Sequence, residues 1–182
     1  MVEKEVREEE VVKEDVTFKP KYAIIDFETA YDENSKDPYF GIVTEMAIIR
    51  CNHDLEIVDE VVIDFTTIDT NKCKRERFAK ELNKVAEEGY TVVFWHQWMF
   101  EYITKINAKY ANKINLNGRM LILTQLYAFY DGMLFSRYGI SFITSELTKR
   151  SHKGEALEDA SDLLSCFKIL REASMDYKEN RI

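Results

Sequence analysis

Apolar and polar residues along this chain alternate in two distinct rhythms, and the change between them falls near residue 70. Before it, three extended stretches recur: YAIIDFE at 22–28 within a first strand over 21–28, GIVTEMAIIRC at 41–51, and IVDEVVIDF at 57–65. Each is bounded by polar or turn-forming residues, with Pro38 inside the 30–41 loop and NHDLE after the second stretch. Short connections between successive extended segments predict an antiparallel meander. After residue 70 the period becomes helical. Phe78, Leu82, Val85 and Ala86 form one stripe over about 75–88, ended by Gly89. TVVFW at 91–95 is a short, wholly apolar run of the kind buried on both faces. Met99, Ile103, Ile106 and Tyr110 mark a helix over about 98–112. GRMLIL predicts a fifth strand, and Thr124 is placed to cap a helix over QLYAFY. Ala156, Ala160, Leu163, Phe167 and Leu170 mark a last helix over about 155–173. A meander followed by alternating helix and strand predicts an α/β fold with a mixed five-stranded sheet flanked by helices.

Composition narrows the classes. The 182 residues, 46% hydrophobic and 13% aromatic, suffice for one well-filled core, so 19–182 is read as a single domain. Residues 1–18 mix charges with scattered valines and are read as a charged, disordered tail. A net charge of −8 excludes a wholly basic nucleic-acid coat, although cations can bridge carboxylates to phosphate. The three cysteines are odd in number and far apart, which favours reduced thiols over disulfides or a zinc site. No apolar run reaches membrane-spanning length and the N-terminus is too charged for a secretory signal, so the expectation is a soluble, intracellular (cytoplasmic) protein without a membrane partner.

The candidate chemistry lies where the first strand ends. Asp26 and Glu28 are separated by one residue, so on a strand both point to the same side. Like charges pressed together at the end of a buried strand are costly unless a positive group binds them, and a divalent cation with oxygen ligands is the natural compensation. Glu45, set among apolar residues in the second strand, also calls for a partner. His96 follows a buried strand and suits a structural hydrogen bond. Trp95 and Trp98 suit core or rim packing, or stacking on a base. The best basic stretches are NKCKRERFAK and the KRSHK run around His152.

Three segments, in order, resemble the motifs of the DEDD family of 3′–5′ exonucleases, which have a ribonuclease H-like fold. DFETA resembles the first motif, Asp-x-Glu-Thr. FWHQWMFE resembles the second, His-Asn-x-x-Phe-Asp, with Gln97 in place of Asn and Glu101 in place of Asp. EALEDA resembles the third, His-x-Ala-x-x-Asp-Ala, ending on Asp159. VTEMAII resembles the family's second strand, and the likeness spans residues 21 to about 173. A second register, matching Trp95 to the Trp-Gly-x-x-Asp of some members, places Met99 rather than Glu101 at the ligand position. The family histidine falls at Gly154 here, with His152 two residues before it; the tyrosine variant's position holds Glu155.

The resemblance implies a hydrolase that uses two Mg²⁺ or Mn²⁺ ions held by Asp26, Glu28, Glu101 and Asp159. Hard cations of this kind require such oxygen ligands. It implies His152 as general base, with Thr29 and Gln97 touching the terminal nucleotide. The implied partner is single-stranded DNA, RNA or a short oligonucleotide, cleaved to nucleoside monophosphates. The departures point to the alternative: an impaired nuclease-like domain serving as a nucleic-acid-binding or protein-interaction module.

Overall fold

The computed structural model describes residues 19–31, 41–110, 113–132, 139–149 and 155–179. The expected tail 1–18, Pro38 and His152 lie outside them. Three strands open the chain: β1 (Tyr22–Ala30), β2 (Ile42–Cys51) and β3 (Ile57–Asp64). They form the antiparallel meander that the sequence predicts, β1 against β2 and β2 against β3. There follow α1 (Asn71–Glu87), β4 (Thr91–Phe94), α2 (Gln97–Lys109), β5 (Met120–Ile122), α3 (Leu123–Tyr130), α4 (Ile140–Thr148) and α5 (Ala156–Glu179). β4 joins β1 in parallel and β5 joins β4 in parallel, giving one mixed sheet in the order β3-β2-β1-β4-β5. Parallel neighbours need a crossover, and α1 and α2 supply them.

The pleat of β1 sorts its side chains. Phe27, on one face, meets Phe78 of α1 at 5.1 Å between ring centroids, Phe94 at 6.4 Å and Tyr102 of α2 at 5.4 Å. Tyr22, on the other face, meets Phe167 of α5 at 5.2 Å, and α5 crosses β1 and β2 on that side. Asp26 and Glu28 share this second face, next to α5. The parallel β4 lies between two strands, and Val92, Val93 and Phe94 are fully buried, as an all-apolar run requires.

Several boundaries differ from the sequence reading. α1 starts at Asn71, about one turn earlier than 75, because Thr70 caps it: its hydroxyl oxygen accepts a hydrogen bond from the Cys73 backbone N–H at 3.2 Å. Thr70→Ala is therefore expected to cost about 1 kcal/mol in urea unfolding, with no change in the slope against denaturant. Thr124 does not cap α3. The helix follows β5 directly with Ile122 in the cap position, and Thr124 is buried inside its first turn, its backbone N–H donating to the Trp95 carbonyl at 3.1 Å. α4, which has no forerunner in the sequence reading, packs on α5 through the buried Ile143. Cys51, Cys73 and Cys166 are free thiols, the first and last buried. No described helix is long and apolar enough to cross a membrane.

Candidate active site

The C-terminal end of β1 delivers Asp26 and Glu28, and the first turn of α5 delivers Asp159. One carboxylate oxygen from each lies within 4.8 Å of the others, although Asp159 is more than 130 residues further along the chain. Asp26 and Asp159 are buried at 4% and 3% exposure, and Glu28 is half-buried. Such crowding has a measurable consequence. Burial first, then the charges of Asp159, Glu28 and Glu45, push the Asp26 pKa up from 3.8 to about 8.

Glu45 enters through the sheet register. It stands directly opposite Glu28 on β2, so two like charges face one another across an antiparallel pair, an unfavourable arrangement when nothing neutralises them. The mid-strand acid noted in the sequence thus belongs to the same acidic face. Spacing within one strand gives no sign of this; only the pairing of β1 with β2 does.

The surrounding elements hold the carboxylates in place. Trp95, fully buried at the end of β4, donates its indole N–H to the Asp159 backbone carbonyl at 3.0 Å. That bond ties the start of α5 to the sheet. The start of α5 also presents its positive dipole end, which favours the negative charge of Asp159. His96, next to Trp95, is pushed below its ordinary pKa by burial, so at neutral pH it brings no positive charge to offset the acids.

Immediately beyond Glu28 the β1–β2 register slips: Glu28 pairs with Glu45 but Thr29 pairs with Val43, leaving Thr44 as the extra residue of a bulge. A cavity of about 700 Å³ opens here, lined by Thr29, Tyr31, Gly41, Trp98, Glu101 and Lys105, among others. Gly41 is needed for the close approach of the strands. A Cβ there would meet the Ala30 carbonyl oxygen at 2.5 Å and Thr29 Cβ at 2.9 Å. The Tyr102 hydroxyl donates to the Gly41 carbonyl at 2.9 Å and pins α2 against this edge.

The remaining residues predicted for the site fall as follows. Glu101 is exposed on α2 and lines the cavity with Thr29; it lies outside the group formed by Asp26, Glu28 and Asp159. Met99 is buried in the core at 1% exposure. Gln97 is exposed at the first position of α2, its side-chain oxygen accepting a hydrogen bond from Gln125 Nε2 at 3.1 Å. His152 lies outside the described residues. Trp95 is core, whereas Trp98 is 43% exposed and stands edge-on to Phe27. Sequence reasoning did not single out Lys105 or Tyr31. Lys105 is one polar residue on a helix surface, and only the cavity gives it meaning.

No family model matches this chain, and no curated protein matches it in sequence. Solved structures do share its fold. A 3′-exonuclease, from a structure on 3′-end specific recognition of a histone mRNA stem-loop, aligns at a TM-score of 0.61 and 14% identity, over 85% of this chain and 65% of its own. The nuclease domain of 3′hExo, a DEDDh family member bound to rAMP, aligns at 0.60 and 15%, over 86% and 94%. Exonuclease I of E. coli, with a 5cy-dT13 oligonucleotide, aligns at 0.58 and 13%, over 86% of this chain and 41% of that protein. The chain thus spans just under two thirds of the first of these and less than half of the last. The shared architecture is a ribonuclease H-like α/β fold.

Proposed function

We propose that this protein is a metal-dependent 3′–5′ exonuclease, hydrolysing phosphodiester bonds of single-stranded DNA, RNA or short oligonucleotides to release nucleoside monophosphates. The observation that carries the reading is the convergence of Asp26, Glu28 and Asp159 with a buried carboxyl pushed up to about 8. The donor set fits a hard divalent cation: three carboxylates, no thiolate and no imidazole in the group. Asp26, Glu28 and Asp159 would hold Mg²⁺ or Mn²⁺, with Glu101 as the fourth carboxylate that the family likeness implies. When bound, such ions offset the charge developing on the phosphate and favour hydroxide over water.

The chain's own residues supply the rest. The cavity beside Glu28 takes the 3′-terminal nucleoside, oriented by the Thr29 hydroxyl and by Gln97 at the start of α2. Trp98 offers an aromatic face to a base, and Lys105 brings positive charge to a phosphate. His152 takes the proton from the attacking water, whose oxygen bonds to phosphorus as the bond to the 3′ oxygen breaks. The solved structures of similar fold, one concerned with a stem-loop RNA and one holding a DNA oligonucleotide, lend support to a nucleic-acid substrate.

The test is shortening of a 5′-labelled oligonucleotide by the purified protein with Mn²⁺. Stepwise loss from the 3′ end is expected, falling at least a thousandfold in Asp26→Ala. Absence of Mn²⁺-dependent shortening, or activity retained in that variant, overturns the reading. The position of Glu101 outside the group of three favours a second reading, a domain that binds metal or nucleic acid without turnover. Mn²⁺ stabilisation with no cleavage would establish it.

A further inference from the structure

β3 is an edge strand: it pairs with β2 and, among the described residues, with nothing on its other side. Edge strands of soluble proteins are commonly protected by charged side chains, lysine above all, by proline or by bulges. In β3 the charges are Asp59, Glu60 and Asp64, and how these three acids meet a second strand decides which pairing is open. The run Ile57–Asp64 contains neither lysine nor proline, and its ladder with β2 is unbroken from Asp59 to Asp64; the one irregularity lies at Val58. Apolar side chains stand in solvent along it, Val58 at 63% exposure and Val62 at 46%.

The hydrogen-bonding phase of the free edge can be read from one contact. The Phe65 backbone N–H donates to the Thr44 carbonyl at 2.8 Å, so the odd-numbered residues bond inward to β2. Alternation then turns the amides of Glu60, Val62 and Asp64 outward. A second antiparallel strand must place outward residues opposite outward residues, which leaves few registers for pairing with a copy of itself. A two-fold axis at Glu60 sets Glu60 against its own copy, and an axis at Val62 sets Glu60 against Asp64. Both oppose like charges. An axis at Val61 opposes Asp59 to Ile63, Glu60 to Val62 and Val61 to its copy, with Val58 opposite Asp64 at the ends. Every acid then meets an apolar partner. Two of the acids are also satisfied within the protomer, Asp59 by Arg50 at 2.8 Å and Asp64 by the Thr66 N–H and hydroxyl.

We infer that β3 is a self-association surface, on which a second copy of this chain pairs antiparallel about Val61 to extend the sheet across the dimer. A contact limited to one strand pair is small, so the dimer is a weak one. The two Glu60 carboxylates lie diagonally across the axis, within reach of mutual repulsion, so added salt tightens the pair. A basic partner strand would show the opposite dependence.

Sedimentation equilibrium of the full chain tests this without reference to catalysis. The expected result is a concentration-dependent dimer, tighter in high salt. Val62→Pro removes an outward N–H that β2 does not use, and Val62→Glu sets a like charge directly opposite Glu60 of the second copy, twice in each dimer. Each is expected to raise the dissociation constant at least about tenfold at an unchanged melting temperature, and Val62→Glu stands alone if the proline variant misfolds. In a Cys73→Ser background, Val61→Cys should cross-link on oxidation. Its symmetric pair is a non-hydrogen-bonded one, about 4.5 Å between Cα atoms, inside the range a disulfide spans. A monomer at the highest attainable concentration, a dimer indifferent to Val62→Glu, a dimer that loosens with salt, or failure of Val61→Cys to cross-link would each overturn the inference.

Discussion

Asp26→Asn is expected to make the metal-free protein more stable at pH 8 and, in the same stroke, indifferent to Mn²⁺. The folded protein holds a proton on Asp26 up to about pH 8, whereas the unfolded chain releases it near 3.8. Between those values the folded state binds the extra proton, so stability falls as pH rises through this window and is fully present only below 3.8. A tenfold change in acidity is worth about 1.4 kcal/mol, so a span of about four such steps places the total on the order of 5 kcal/mol at pH 8. Asparagine has nearly the same shape without the charge and escapes that penalty. Its melting temperature at pH 8 should lie roughly 10 °C above that of the unaltered protein, and the gap should close towards pH 4. With Mn²⁺ present the dependence reverses for the unaltered protein. The cation displaces the proton, so its binding tightens as pH rises towards 8, and selective binding to the folded state raises the melting temperature. Calorimetric scans at several pH values, with and without Mn²⁺, read both effects. An Asp26→Asn protein no more stable than its parent at pH 8 would contradict the account of the site.

Phe27→Ala is expected to cost about 4 kcal/mol and to leave little folded protein at 37 °C. Phe27 is 1% exposed and stands between the two acids of β1, on the opposite face, against Phe78, Phe94, Trp98 and Tyr102. Removing its ring empties space lined by four aromatic neighbours that belong to three different elements and close over it poorly. Phe27→Leu, which retains much of the volume, should cost nearer 1.5 kcal/mol. Urea unfolding of the two variants gives the comparison. Equal losses would mean that the cluster relaxes around either change.

Much of this was legible before any coordinates. Strand alternation in DFETA was enough to put Asp26 and Glu28 on one face, whereas Asp159 was joined to them only by the likeness of EALEDA to a family motif, because the α5 stripe fixes a helix and not what its first turn meets. What remained hidden depended on partners. Glu45 joins the acidic face only through the β1–β2 register, and Lys105 gains significance only from a cavity built by three segments. Thr124 was misread because a local capping rule overlooks that α3 follows β5 without a linker, which buries the threonine. α4 lacked a regular stripe of sufficient length to be noticed. For Glu101, position along α2 settles exposure but not the reach of its carboxylate towards the other three acids.

The division of the acidic face between the first strand and the last helix bears on the life of the chain during synthesis. Ribosomes release residues 22–30 well before Asp159, and while the more than 130 residues between them are being made that strand carries its two acids alone. The arrangement is complete only when α5 has emerged and docked, and contacts so distant along the chain form late in folding. A copy in which α5 has not yet docked therefore lacks the assembled cluster, so the proposed cutting of nucleic acid by these carboxylates is withheld until that helix is in place.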